Sequence, residues 1–211
     1  MGRIRVKICG LTHPSDVRAA ADAGADAVGF NFYPQSPRFV DMRIAGPLVR
    51  VTPAGIAAVG VFVQATTYDM RAAAIRLGLH EVQWHGDGPA PDGSCAPFPL
   101  VVAYRVQGPA DLETIRADVA RHQSTALIDA HVPGQFGGTG QTAPWHLLSG
   151  FDPGVPVILA GGLTPENVAE AVRIVRPWGV DVASGVESSP GRKDADKVRR
   201  FVEAVRAVEA G

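Results

Sequence analysis

Short runs of Val, Ile, Leu and Ala alternate along the chain with longer segments in which apolar residues recur every three or four positions. Apolar runs of four to seven residues bounded by turn residues read as buried strands, and the periodic segments between them read as amphipathic helices. Eight such runs stand at 3–9, 27–32, 57–63, 81–84, 100–104, 125–129, 155–160 and 179–183. Their alternation with helical segments predicts the α/β class, with βα units around a parallel sheet. Eight strands in 211 residues fit a single closed (β/α)8 TIM barrel better than an open sheet, since closure leaves no edge exposed.

Helix signals fall between most of these runs. Thr12 precedes an alanine-rich segment with Pro14 in its first turn, and Thr164-Pro165-Glu166 reads as a cap followed by proline at the first helical position. The last helix is the clearest, because Val198, Phe201, Val202, Val205 and Val208 form one apolar stripe among Arg and Glu. After the fourth run the segment 87–99 holds four prolines and two glycines, so an irregular segment is expected there in place of a regular helix. No linker or low-complexity tract divides the chain, and residues 1–211 are expected to form one catalytic domain.

Strand parity then orients the polar residues. Side chains alternate across a strand, so Ile4, Val6 and Ile8 share one face of the first run while Arg5, Lys7 and Cys9 share the other. The aliphatic set belongs against the helices, which turns Lys7 and Cys9 toward the barrel axis. The same parity sends Asn31, Gln83 with His85, Asp129 and Asp181 inward from the second, fourth, sixth and eighth runs. A barrel interior filled only for stability would use Val, Ile and Leu, whereas an unpaired buried lysine or aspartate costs several kcal/mol. Five strands aiming polar groups at one mouth therefore mark an active site. Because the eighth strand adjoins the first in a closed barrel, Lys7 and Asp181 are expected to interact, with their termini within about 6 Å.

Composition narrows the setting. A hydrophobic content of 46% supports one large core, and 20 Lys+Arg against 21 Asp+Glu gives net −1 with no long run of one sign. Neither nucleic acid nor an anionic membrane is an expected partner. Only Cys9 and Cys95 are present, far apart, with no apolar stretch of about 18 residues, and the expectation is a reduced cytoplasmic protein without a disulfide. Oligomeric state is not legible, and a monomer is the default expectation.

Several motifs carry chemistry beyond the fold. Gly161-Gly162 ends the seventh run and Ser184-Gly185 follows the eighth. Glycines in those loops let backbone N–H groups approach a ligand, and the loops after strands seven and eight of such barrels commonly bind phosphate. Taken singly they would also serve as tight βα turns. Gly137-Gly138-Thr139-Gly140, after Asp129, reads as a mobile loop that can fold over a substrate. Ser36-Pro37-Arg38 places a guanidinium on a stiffened loop, suited to bidentate capture of a carboxylate. Alone, Cys9 would be a small buried hydrophobe and His85 a core histidine. A neighbouring Lys7 ammonium is expected to favour the Cys9 thiolate, the form that accepts a proton. No His/Cys/Asp/Glu set has metal-ligand spacing, so no metal is expected.

Taken together these residues resemble one family, phosphoribosylanthranilate isomerase of tryptophan biosynthesis. The likeness covers nearly the whole chain: Lys7-Ile8-Cys9-Gly10, Gly29-Phe30 through Ser36-Pro37-Arg38, Val59-Gly60-Val61-Phe62, Val82-Gln83 with His85-Gly86, Gly137 to Gly140, Leu159 to Leu163, and Val180-Asp181 through Ser184-Gly185-Val186-Glu187. The resemblance implies a cofactor-free Amadori rearrangement of a small phosphorylated substrate, with Asp129 as general acid and Cys9 as general base. It implies that Arg38 holds the anthranilate carboxylate, and that Gly161, Gly162, Ser184 and Gly185 hold the phosphate. Lys7, His85, Asp181, Gly138 and Thr139 would complete the substrate-binding surface. Asn31, Trp84 and the proline-rich segment depart from the usual pattern of the family.

Two other readings compete with this one. A histidine-pathway or dual-substrate sugar-phosphate isomerase would resemble a doubled half-barrel with two catalytic aspartates, but the first strand here carries Cys9 and no second Gly-Gly loop follows the third. A silent barrel that only binds a phosphorylated ligand would have lost one of Cys9 and Asp129, and both are present.

Overall fold

The computed structural model describes residues 2–88, 90–91, 94–129 and 145–209. Eight parallel strands close into a barrel in sequence order: β1 (Arg5–Cys9), β2 (Ala27–Asn31), β3 (Ala57–Val63), β4 (Glu81–His85), β5 (Leu100–Arg105), β6 (Thr125–Asp129), β7 (Val157–Ala160) and β8 (Gly179–Val182). All eight predicted runs are strands. β5 runs one residue past its expected end, to Arg105, and β1 and β7 each start two residues late. Outside the barrel lie α1 (Pro14–Asp22), α2 (Met42–Arg50), α3 (Thr67–Leu77), α4 (Pro109–His122), α5 (Val168–Val175) and α6 (Ala195–Glu209). Among the described residues of 86–99 there is no helix or strand, as the prolines dictate.

Inward and outward faces segregate by parity. Val101, Leu127, Ile158 and Ala160 form a small apolar cluster inside the barrel. Ile4, Val6 and Ile8, with Val82, Val102, Ile128 and Val180, join the larger core between sheet and helices. At the start of the strands Arg5 and Glu81 form an ion pair between β1 and β4. The α6 stripe behaves as its period requires: Val198, Phe201 and Val205 are fully buried, and burying one such side chain contributes roughly 1.5–3 kcal/mol. Trp84 points outward, buried in the same core as Ala90 and Cys95 of the irregular segment, and donates through Nε1 to the Ala65 carbonyl at 3.2 Å. Tyr104 likewise faces outward and donates to Asp118 on α4 at 2.8 Å.

Two helix starts differ from expectation. His13, not Thr12, caps α1: its Nδ1 accepts from the Ser15 backbone N–H at 3.3 Å, while the Thr12 hydroxyl donates to the Gly191 carbonyl at 2.6 Å. Thr164-Pro165-Glu166 makes a turn, and α5 begins only after Asn167. The Asn167 side chain accepts from the Thr164 N–H at 2.7 Å and donates to the Gly162 carbonyl at 2.9 Å, which ties the Gly-Gly loop to the helix. A short hairpin after β8, β9 (Glu187–Ser189) with β10 (Arg192–Lys193), has no strand signal in the sequence, because its residues are mostly polar and the pairing is only two to three residues long. Among the described residues no helix is long and apolar enough to cross a membrane.

Candidate active site

Every inward polar residue expected from parity stands on a barrel-facing register position. Lys7 pairs with Asp181 across the β1–β8 seam, Val61 with Gln83 between β3 and β4, and Arg105 with Asp129 between β5 and β6. Cys9, His85 and Asp129 are the last residues of β1, β4 and β6, so their side chains leave the sheet at its carboxyl-terminal mouth. Active sites of such barrels form at that end.

The floor of the mouth is an ion pair. Lys7 Nζ donates to both Asp181 oxygens at 3.0 Å, with the two residues only 3% and 8% exposed. Burial by itself would lower the Lys7 ammonium, but Asp181, with Cys9 beside it, outweighs that and holds it above its usual value. Gly29, the register partner of Cys9, makes room for the thiol: a Cβ there would stand 2.8 Å from Cys9 Sγ and 3.2 Å from Lys7 Cε.

At the Cys9 thiol, burial and neighbouring charge oppose each other. Burial is the largest influence and raises it, Lys7 and Lys193 draw it down, Asp181 pushes it up, and the net direction is upward. Lys7 thus favours the thiolate, as its position two residues away suggests, but removal of the sulfur from water outweighs it.

His85 is held neutral, its pKa lowered to about 4, first by burial and then by the Lys7 ammonium. Its Nε2 lies 2.7 Å from Gln83 Nε2, an arrangement in which the amide donates to a neutral imidazole. Gln83 Oε1 is buried without a hydrogen-bond partner among the described residues. Asn31 turns its Oδ1 to the Tyr33 N–H at 2.8 Å and shapes the loop that carries Arg38.

Arg38 is not a solitary loop guanidinium. Its Nε and Nη2 donate to the two oxygens of Glu187, each at 2.7 Å, and Glu187 Oε1 also accepts from Lys193 Nζ at 2.9 Å. Burial favours the protonated Glu187, but Arg38 and Lys193 overcome it and hold the carboxyl below its usual range. Lys193 is lowered by burial, with Glu187 opposing.

The loops after β7 and β8 meet closely. Gly161 and Gly162 have φ of 86° and 65°, left-handed values that favour glycine, and a Cβ on Gly185 would fall 1.9 Å from the Leu163 carbonyl oxygen. Ser184 opens the short 3-10 turn that carries Gly185. Thus Lys7, Cys9, His85, Asp129 and Asp181 converge on one mouth, with Arg38 joined to it from the β2 loop. Gly138 and Thr139, with the rest of the 137–140 loop, lie outside the described residues. Arg105, Glu187 and Lys193 were not foreseen as site residues. Parity extended one residue past the expected end of β5 would have found Arg105, whereas Lys193 reaches the mouth only through the hairpin.

An eight-stranded parallel barrel whose thiol, carboxylates and cations meet at the carboxyl ends of its strands defines a (β/α)8-barrel enzyme. The family model for N-(5'-phosphoribosyl)anthranilate (PRA) isomerase matches residues 6–204. N-(5'-phosphoribosyl)anthranilate isomerase of Myxococcus xanthus is 47% identical over 207 residues, covering 97% of each chain, and that of Thiobacillus denitrificans is 46% identical over 206 residues, covering 97% of this chain and 98% of the relative. Among solved structures, phosphoribosyl anthranilate isomerase from Thermotoga maritima matches with a TM-score of 0.86 at 35% identity, over 97% of this chain and 99% of that one. A structure of the isomerase in complex with reduced 1-(o-carboxyphenylamino)-1-deoxyribulose 5-phosphate matches with a TM-score of 0.83 at 33% identity, over the same shares. The chain belongs to the N-(5'-phosphoribosyl)anthranilate isomerase family.

Proposed function

We propose that the enzyme converts N-(5-phosphoribosyl)anthranilate to 1-(2-carboxyphenylamino)-1-deoxyribulose 5-phosphate, a step of tryptophan biosynthesis, by acid–base catalysis without a cofactor. The observation that carries this reading is the placement of Cys9 and Asp129 at the carboxyl ends of β1 and β6, three strands apart around the closed barrel on the same inward face.

Asp129 protonates the furanose ring oxygen, the C1–O bond breaks, and the ring opens to a protonated Schiff base. Cys9 then removes the C2 proton as thiolate, and the electron pair moves into the C1–N system to give an enolamine. Tautomerisation of the enolamine yields the aminoketose. One proton delivered to the ring oxygen and one removed from C2 require an acid and a base but no electron acceptor, which is the work two such side chains do. Because burial raises the thiol, the proton must leave Cys9 before it can act, aided by the positive charges of Lys7 and Lys193.

The remaining residues bind. Backbone groups of Gly161, Gly162, Ser184 and Gly185 receive the phosphate, Arg38 receives the anthranilate carboxylate, and the sugar chain lies over Lys7, Asp181 and neutral His85. Gly138 and Thr139 belong in this reading to the loop that covers the substrate. The test is turnover of freshly prepared phosphoribosylanthranilate, followed as loss of anthranilate fluorescence. A folded sample that leaves the fluorescence unchanged overturns the proposal.

A further inference from the structure

The hairpin after β8 builds a charge cluster around Glu187, a carboxylate to which the reaction as described gives no role. Glu187 on β9 takes Arg38 Nε and Nη2, and Lys193 on β10 is fully buried against the same carboxylate while also donating to the Ala183 carbonyl at 2.9 Å. The cluster is anchored on both sides. The Gly191 N–H donates to Glu187 Oε1 at 3.3 Å, and the Gly191 carbonyl accepts from Thr12 in the loop after β1. On the other side Gly10, next to Cys9, leaves the space for Arg38, since a Cβ there would stand 2.4 Å from Arg38 Cδ.

We infer that Glu187 is a positioning residue that presents Arg38 to the substrate's aromatic carboxylate, with Lys193 supplying the charge that makes this possible. A guanidinium carries five N–H donors in a planar fork. Glu187 occupies the edge formed by Nε and Nη2, which leaves the outer edge, Nη1 with the second Nη2 hydrogen, for a second carboxylate in bidentate geometry. An Arg38–Glu187 pair alone would be neutral and would present an incoming anion with a competing carboxylate. Lys193 changes that sum: two cations and one carboxylate leave one positive charge beside Cys9. Lys193 is thus not a substrate contact but the counter-charge that lets Glu187 aim Arg38 without cancelling it.

This inference rests on Arg38 as the carboxylate clamp, and its test separates the two. The ratio of kcat/KM for phosphoribosylanthranilate to that for the phosphoribosylated aniline lacking the carboxylate measures how much the clamp contributes. Glu187→Gln should lower that ratio by about tenfold or more, mostly through KM for the anthranilate substrate, as expected for loss of an aligned charge-assisted hydrogen bond. kcat/KM on the aniline substrate should fall by a much smaller factor. In an Arg38→Ala background Glu187→Gln should lower the ratio no further. Should Glu187→Gln fail to fold, Lys193→Met carries the test and should lower the same ratio. Equal losses on both substrates would make Glu187 merely structural, and a rising ratio would make it a competitor for Arg38; either overturns the inference. A wild-type enzyme that turns over phosphoribosylanthranilate but shows no preference for the carboxylate would instead remove Arg38 as the clamp.

Discussion

The Lys7 ammonium lies 3.0 Å from each oxygen of Asp181, its register partner across the seam where β8 meets β1. One contact therefore joins the closure of the barrel to the floor of its active site. Asp181→Asn should strand a buried ammonium and destabilise the fold by about 3–5 kcal/mol, read as a shift in the urea unfolding midpoint. Replacing both partners, Lys7→Met with Asp181→Leu, should recover much of that stability while activity stays lost. A loss below about 1 kcal/mol for the single variant would show the pair to be solvated.

The acid and base should separate kinetically. Cys9→Ala and Asp129→Asn are each expected to lower kcat/KM by about 10² to 10⁴-fold when chemistry is limiting. A variant retaining near-normal kcat/KM under those conditions would lose its assigned role.

The proposed base, Cys9, must be deprotonated to work, and burial raises its thiol above the ordinary 9.0, so on that reading kcat/KM for the wild type should still be climbing where an ordinary thiol titrates. Lys7→Met removes a charge that pulls the thiol down and should move the rising limb to higher pH. A plateau reached well below pH 9 would show that Cys9 is more acidic in the free enzyme than its surroundings imply.

His85 should remain neutral until about pH 4, so its imidazole resonances should not titrate near 6.5. A histidine whose folded pKa is depressed binds fewer protons than in the unfolded chain between those values. Folding stability is therefore lost as pH falls from about 6.5 toward 4, by at most roughly 3 kcal/mol from this residue. His85→Gln should flatten that part of the stability–pH curve, and an unchanged slope would contradict the burial assigned to the ring.

Gly185→Ala tests the phosphate cradle. The new Cβ would collide with the Leu163 carbonyl oxygen, a backbone atom without a rotamer to change, so the loops after β7 and β8 must part. Because displacements of about 1 Å in positioning groups cost on the order of 10²-fold, kcat/KM should fall by about that factor, mainly through KM. Tighter binding of inorganic phosphate by the variant would rule out these loops as the anion site.

Much of this molecule was legible before any coordinate. Strand period and helix stripes are local, so eight runs and the α6 face could be read directly, and parity alone turned Lys7, Cys9, Gln83, His85, Asp129 and Asp181 inward. The pairing of Lys7 with Asp181 followed from closure, since the first and last strands of a barrel are neighbours whatever their sequence separation. Helix starts were less legible, because Thr12 is a good cap chemically but its hydroxyl is taken by Gly191 from the other end of the chain.

Tertiary structure decided the rest because charge and solvation depend on everything within a few ångströms. The sequence places a lysine two residues from Cys9, yet it cannot say that Asp181 already holds that lysine or that burial outweighs it. It shows Arg38 on a stiff loop, but not that a hairpin of mostly polar residues would fold back to bring Glu187 and Lys193 to it. The chain's pattern determined which residues face the site; only packing determined their partners, and through those partners their charge.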